Sequence, residues 1–537
     1  MIMRITNICI TMLSVFLAVM SFYSPAAEKA VVAKDIEGEV AAEGTVTDNV
    51  TTMLLPDTVY PSVKDIVYRV DCYDTVTDPS VDGAPDLYSQ VPGIAMFRGS
   101  QRRDAPFFGK VCGRPSRVTV DWVFKTGYDS RQTQYGVWGG GTGWTGQPLF
   151  IQWPDSCMDR FRRESRGLTG DFDREEVIVG SLDAHVYFIN YNTGKCSRQP
   201  ISVGNTIKGT PSLDPTLCGN LYVGQGIPCQ SPFGALTIDL NKHKISHFFP
   251  QDGKAWRGWN AYDSSPIRCG RFLFRPGENG TLYKFLIEGN QLRLHTTLRY
   301  KLPNKGTAAG MEASMSIYGN YGYVSDNHGN VLCVNLNTMQ PVWHYWNHDD
   351  SDGSPVLAVE DGIPYVYTAC EVDKQGEKGK CYFVKINALN GQLVWQSTIP
   401  ARRAHLGAQT FDGGMFATPL LGRGDCEGFI FANIVTNDTP GMQGEFVAFR
   451  REDGLIAYRV PLQHYAWSSP VGLLNEQNDM FVFTVDTRGR VYLIEGFTGE
   501  VLCEKQVGAN FESSPIVVDN HIILGSRGRE IFKMSIQ

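Results

Sequence analysis

A small residue followed by proline, or an equivalent pair, opens an apolar strand again and again along this chain. That repetition constrains the fold more than any other feature. The instances are Gln147-Pro148, Thr210-Pro211, Ser265-Pro266, the degenerate Ser314-Met315, Ser354-Pro355, Thr418-Pro419, Ser469-Pro470 and Ser514-Pro515. Successive starts are separated by 63, 55, 49, 40, 64, 51 and 45 residues. Between them an alternating strand, a turn with Asn, Asp or Gly, and another strand recur, as in HVYFINYNTGKC and YFVKINALNGQLVW. Period-2 alternation around such turns predicts antiparallel hairpins. An all-β repeat of this length is propeller-sized. Helical repeats are disfavoured, because no apolar face of period 3.6 runs for a dozen residues in the body.

The expected fold is therefore all-β, an eight-bladed β-propeller over residues 94–537. Only three strands fit after Ser514, and an orphan strand at Arg117–Gly127 (RVTVDWVFKTG) resembles the fourth strand of other units. Borrowing it completes the last blade and removes open sheet edges. Residues 27–93 form an acidic N-terminal extension and linker, in which Tyr60–Tyr73 is the part that can pack against the propeller. Arg160, Arg162, Arg163 and Arg166 read as a solvated loop between strands of the first unit.

Between Glu28 and Ser100 the net charge is −8, Arg4 adds +1, and the remainder sums to zero, for −7 overall. A neutral body offers no basic footprint for nucleic acid. Arg4, the apolar stretch Ile8–Phe22 and small Ser24 and Ala26 read as a signal peptide over residues 1–26, so the protein is expected to be exported (periplasmic, cell-surface or secreted) with no transmembrane segment after signal removal. Removing Cys9 with it leaves twelve of 13 cysteines, an even count that favours disulfides in an exported chain. Cys218/Cys229 and Cys370/Cys381 share a spacing of 11, and the second pair brackets a polar loop between strand-like ends; unpaired, half-buried thiols are the alternative.

The repeats resemble those of the quinoprotein (PQQ-type) propeller superfamily. The features that carry the resemblance are the Ser/Thr-Pro strand openings, turns ending in Trp343 and Trp395, and the lead-in Met96–Arg102 followed by Asp121–Phe124. The superfamily includes PQQ- and calcium-dependent alcohol dehydrogenases, and also non-catalytic scaffolds such as the lipoprotein that assists outer-membrane barrel assembly. This chain has no Cys-Cys dipeptide and no recognisable dehydrogenase ligand or catalytic-Asp motif. The expected function is an exported, non-catalytic propeller that binds a protein, glycan or other ligand through its channel rim. The alternative is a PQQ- and Ca-dependent oxidoreductase.

In a propeller the loops entering each innermost strand converge on one rim. The residues just before the Ser/Thr-Pro pairs are the rim candidates: Lys208, Asp263, Glu312, Asp352, Phe416, Trp467 and Glu512. Four acids near one axis repel one another unless solvated, protonated or matched by a cation. Trp256, Trp259, Arg403 and His405 add aromatic and basic groups to the expected rim, with blade wedging as the other role for the two tryptophans. Asp349, Asp350 and Asp352 supply hard oxygens for a Ca²⁺ ion, with a solvated acidic turn as the alternative.

Overall fold

The computed structural model describes residues 59–74, 79–143, 146–406, 409–437 and 443–537. The proposed signal peptide, the acidic stretch before residue 59 and Trp144 lie outside the described residues. Eight antiparallel sheets follow one another around an axis, each with its innermost strand at a Ser/Thr-Pro pair or its equivalent. Blade 5 illustrates the unit, with strands Val356–Glu360, Ile363–Ala369, Lys380–Asn387 and Leu393–Pro400. Blade 8 contains Ile516–Val518, His521–Gly525 and Glu530–Ile536, and its outer strand is Val118–Lys125. Ile531 pairs with Phe124 and Ile536 with Val118, so the chain closes the ring as the orphan strand required.

The Ser/Thr of each opening pair has a structural task. The amide of Ser265 donates to Ser314 Oγ (2.9 Å), Ser314 to Ser354 Oγ (2.8 Å) and Ser354 to Thr418 Oγ1 (3.1 Å). Thr418 then donates to Ser469 Oγ (2.9 Å), and Ser469 to Ser514 Oγ (3.1 Å). The Ser514 amide reaches the carbonyl of Gly146 at 2.8 Å. A belt of hydroxyls thus links blades 3 to 8 around the channel and on to the start of blade 1. It satisfies amides that converge on the axis and have no sheet partner there.

Farther out, fourth-strand tryptophans dock on the next blade. Trp343 Nε1 donates to Ala388 O, Trp395 Nε1 to Arg451 O and Trp122 Nε1 to Tyr191 O, each at 2.9 Å. The indoles lie flat against turn glycines: a Cβ on Gly391 would sit 2.8 Å from the Trp343 ring, and one on Gly454 2.5 Å from Trp395. Both glycines have φ near +75°, a region that side chains other than glycine enter at a cost. This accounts for the recurring turn glycine and Trp in the repeats.

The segment Gly93–Val111 is a strap across the inner ends of all eight blades. Ile94 pairs with Phe150, Leu213 donates to Ala95 O, and Ile317 and Leu357 donate to Gln101 O and Arg102 O. Gln101 Nε2 reaches Arg268 O, and Arg423 pairs with Asp104. Val517 donates to Pro106 O and Val111 donates to Leu474 O, which completes the circuit. Two fully buried arginines on the strap donate to inward-pointing carbonyls. Arg98 reaches Pro470 O and Pro419 O, while Arg103 reaches Met315 O, Ser265 O and its own strap at Phe97 O. Burial lowers their pKa to about 9 and about 10, so both stay charged at neutral pH.

In the N-terminal extension, Pro61–Asp65 forms a 3-10 turn on blade 4, and Val67–Cys72 adds a fifth, outer strand to blade 3, Val67 opposite Lys301. One expectation is corrected. The arginine-rich stretch in blade 1 is not a loop but an α-helix, Asp155–Glu164, that buries Cys157, Met158 and Phe161. Three apolar positions on one face suffice for so short a helix, and Arg160 anchors it through Asn241 Oδ1 and Leu217 O. Arg166 lies just beyond its end.

Replacing Ser354 by Ala removes the acceptor of the buried Ser314 amide. The variant is expected to lose about 1–3 kcal/mol of stability, read from urea or thermal unfolding. A change under about 0.5 kcal/mol would show that the belt is not a structural element.

Candidate functional site

Each residue two positions before a Ser/Thr-Pro pair shares a strand face with the belt hydroxyl, because side chains alternate along an extended chain. The channel mouth above the belt is therefore lined by Glu312, Asp352, Phe416 and Trp467, over Ser314, Ser354, Thr418, Ser469 and Ser514, with Phe97 of the strap as its floor. Phe416 packs on Trp467 with ring centroids 5.3 Å apart and the planes tilted by 36°, and Trp467 lies 5.2 Å from Tyr465. On the far side Glu512 accepts from Asn510 and lies 3.6 Å from Arg527.

Two carboxylate triads flank this mouth. In the first, oxygens of Asp263, Glu278 and Glu312 lie within 4.8 Å of one another; in the second, those of Asp350, Asp352 and Glu371 do. The first triad contains its own cation. Lys208 Nζ is in contact with Asp263 and 4.0 Å from Glu312, and the lysine is 5% exposed. Burial opposes its charge, but Asp263, Glu312 and Glu278 together outweigh that and raise its pKa. Trp259 Nε1 donates to Glu278 Oε2 at 2.7 Å, and Arg257 donates to the Glu278 carbonyl.

Among the described residues the second triad has no equivalent. Its nearest cation is Lys374, half exposed, 3.7 Å from Asp350. Glu371 is 1% exposed, and among the described residues no donor reaches either of its carboxylate oxygens or Asp350 Oδ1. The Asp352 carboxyl can bond to Glu371 only through a shared proton. Burial, reinforced by the neighbouring acids, raises Asp352 and Glu371 well above the usual carboxylate range and lifts Asp350 to about 7. Asp412, just outside the triad, is also raised to about 7, first by burial and then by Asp373.

The residues expected from sequence fall into three groups. Lys208, Asp263, Glu312 and Asp352 come together at the mouth beside Trp467, with Glu512 across it. Trp259 and Arg403 face inward as supports: Trp259 holds Glu278, and Arg403 pairs with Asp373 (2.9 Å) and Asp412 (2.7 Å). Trp256 faces Lys301 at 6.0 Å, and His405 sits exposed on a two-stranded hairpin, Ala404–Leu406 with Gln409–Phe411. Of the three aspartates read as oxygen ligands, Asp350 and Asp352 converge. The Asp349 carboxylate instead accepts the amides of Asp373 and Gln375, each at 3.0 Å. Glu278 and Glu371 were not anticipated. Each follows the second strand of its blade, blades 3 and 5, in a connection that no Ser/Thr-Pro pair marks.

The donor set fits a hard cation such as Ca²⁺, which takes carboxylate oxygens from flexible arrangements. Asp350, Asp352 and Glu371 would hold it. PQQ, a planar tricyclic quinone that itself carries carboxylates, exceeds the space that the described residues leave between Glu312, Asp352, Phe416 and Trp467. The space at the mouth open to a water molecule's centre is about 10 Å³, room for one water. The surrounding acids would also repel the quinone.

No family model matches the sequence, and no curated protein matches it. Among solved structures, a europium-containing methanol dehydrogenase aligns at TM-score 0.59 and 11% identity, covering 83% of this chain and 98% of that one. The quinohemoprotein alcohol dehydrogenase of Comamonas testosteroni aligns at TM-score 0.55 and 13% identity, covering 83% and 80%. BamB from Moraxella catarrhalis aligns at TM-score 0.47 and 13% identity, covering 72% and 98%. The first two likenesses show that the fold is the eight-bladed propeller of the quinoprotein alcohol dehydrogenase type. Among the described residues no helix is long and apolar enough to cross a membrane.

The raised carboxyl pKa values set a pH dependence. A carboxyl whose folded pKa exceeds its unfolded value binds more protons when folded, so it favours folding at low pH and loses that contribution as pH rises. Metal-free protein is expected to lose stability between about pH 4 and pH 7, by up to about 1.4 kcal/mol per pH unit for each titrating carboxyl. Asp350→Asn should flatten that slope. Unfolding midpoints across the range, corrected for the mean slope of surface groups, check it; an unchanged slope would contradict the assignment.

Proposed function

We propose that the protein is an exported, non-catalytic binding propeller whose channel mouth takes up a divalent cation at Asp350, Asp352 and Glu371. One observation carries this reading. Of two carboxylate triads on the same mouth, one encloses a lysine ammonium and the other, buried at all three residues, encloses no cation among the described residues. Burying several carboxylates without a counter-charge costs several kcal/mol per ion, so the second triad is either protonated or matched from outside. At neutral pH a bound Ca²⁺ satisfies Glu371 and relieves the repulsion among the three acids. The strap closes the channel beneath the mouth, so the site opens to one side, where the aromatic pair Phe416 and Trp467 forms the remaining wall. Export rests on the N-terminal sequence, with its apolar stretch Ile8–Phe22. The oxidoreductase reading has the fold in its favour and the mouth's size and charge against it.

Thermal unfolding of the metal-free protein at pH 7.5, with and without Ca²⁺, tests the proposal. At 100 times its dissociation constant the ion should add about 2.7 kcal/mol. Glu371→Gln should abolish that gain and, by removing a buried charge, leave the metal-free protein as stable as the parent or more so. No response of the parent to Ca²⁺ would overturn the cation site. A further shift that requires PQQ together with Ca²⁺ would transfer the site to the oxidoreductase reading.

A further inference from the structure

We propose that Cys370 and Cys381 form a disulfide in the mature protein, closing the loop that carries Glu371 against the wall of the channel mouth. The inference does not depend on the cation reading, since the bond is present or absent whatever the mouth binds.

In blade 5 the ladder between the second and third strands runs as far as Ala369 opposite Phe383. The Cys370 amide still donates to Tyr382 O at 3.2 Å, and then the chain leaves its partner: Glu371–Val372 pairs instead with Gly413–Gly414 beside blade 6. The change of direction turns Cys370 back over the strand it has just left. Its Sγ accepts the amide of Tyr382 at 3.3 Å and lies 3.7 Å from Lys380 O, the residues on either side of Cys381. The Cys381 thiol lies beside Cys370, and both residues are free thiols in this structure and 0% exposed. Two thiols in contact, at the open end of an antiparallel pair, need little movement to reach bonding geometry. Cys218 and Cys229, at the same spacing, face other neighbours; Cys229 Sγ lies 3.3 Å from Thr206 Oγ1 and 3.7 Å from Ile227 O.

The loop so closed carries groups that shape the mouth. Glu371 completes the second triad, Asp373 pairs with Arg403, and Lys374 lies within 3.7 Å of Asp349, Asp350 and Asp373. Fewer unfolded conformations of this loop are available once its ends are joined, which stabilises the folded wall.

The reaction is a two-electron oxidation. The two thiols lose two protons and two electrons, and a disulfide oxidant such as oxidised glutathione takes up the electrons as it is reduced to two thiols. It proceeds by exchange: one cysteine thiolate attacks the oxidant and expels its first thiol, forming a mixed disulfide, and the thiolate of the other cysteine attacks the protein sulfur of that bond and expels the second thiol. The neighbouring Cys370 sulfur, which favours the protonated Cys381 thiol, and burial raise the Cys381 pKa, so exchange belongs to the folding chain, before the blade closes over the sulfurs. Once made, the bond is shielded from reductants by the same burial.

The test refolds the reduced, purified chain in a glutathione redox buffer. Free thiols are then alkylated under denaturing conditions, and unreduced tryptic peptides are read by mass spectrometry. Lys374, Lys378 and Lys380 place cleavage sites between the two cysteines, so a bond joins two separate peptides. The expected result is a linked pair containing Cys370 and Cys381, absent after reduction. Full alkylation of both cysteines in the refolded, folded protein would overturn the proposal, as would linkage of either to a different cysteine. A second readout compares melting temperatures of oxidised and reduced protein. The oxidised form should melt higher, and the gap should vanish in the Cys370→Ser/Cys381→Ser double variant. A gap that persists there would place the stabilising bond elsewhere and overturn the assignment to this loop.

Discussion

The belt of hydroxyls around the axis is the interaction on which the other parts depend. Eight innermost strands begin at nearly the same radius, and their first amides point along the ring rather than into a sheet. Burying such donors unpaired costs roughly 1–3 kcal/mol each. In blades 4 to 8 a Ser or Thr at the start supplies the acceptor: from Ser265 to Ser469 each amide finds the hydroxyl of the blade that follows, and the Ser514 amide ends on Gly146 O. Proline beside the Ser or Thr holds the strand opening in extended geometry and removes a further amide from the crowded axis.

That geometry leaves carbonyls pointing at the centre, and the strap answers them. Arg98 and Arg103 deliver charged donors to the carbonyls of Ser265, Met315, Pro419 and Pro470, which belong to the opening pairs themselves. Neither guanidinium has a carboxylate partner among the described residues. They are held by carbonyl dipoles, which explains why burial depresses their pKa without discharging them. The strap consequently acts as both axle and plug. It ties the inner ends of all eight blades to one segment and turns a through-channel into a mouth with Phe97 at its base.

Two symmetry-related corners of that mouth resolve the same electrostatic problem differently. In blade 3 an entering acid, a second-strand acid and a neighbouring acid share the ammonium of Lys208. In blade 5 the entering pair Asp350 and Asp352 and the second-strand Glu371 have only the half-exposed Lys374 at their edge. The loop that brings Glu371 there is held from several sides, by Asp349 through backbone amides, by Arg403 through Asp373, and by the contact between Cys370 and Cys381. These supports fix one buried carboxylate in place beside Asp350 and Asp352.

The sequence by itself determined the architecture. The spacing of Ser/Thr-Pro pairs, the alternation within strands and the orphan strand at Arg117–Gly127 were enough for eight blades and their closure, because these are local patterns with a fixed period. The same alternation placed Lys208, Asp263, Glu312, Asp352 and Trp467 on the mouth. Tertiary structure decided which acids meet. Glu278 and Glu371 lie outside the repeat frame, and their approach to Glu312 and Asp352 depends on how strands end and chains turn, which has no periodic signature. The helix Asp155–Glu164 escaped for a similar reason: three buried positions are too few to stand out from the strands around it. Asp349 and Asp350 are neighbours in the chain, yet one caps a loop and the other faces the triad, because the chain bends at His348–Asp349, where His348 has φ +68°. Composition and order set the ring; only the packed ring decided where its charges are matched.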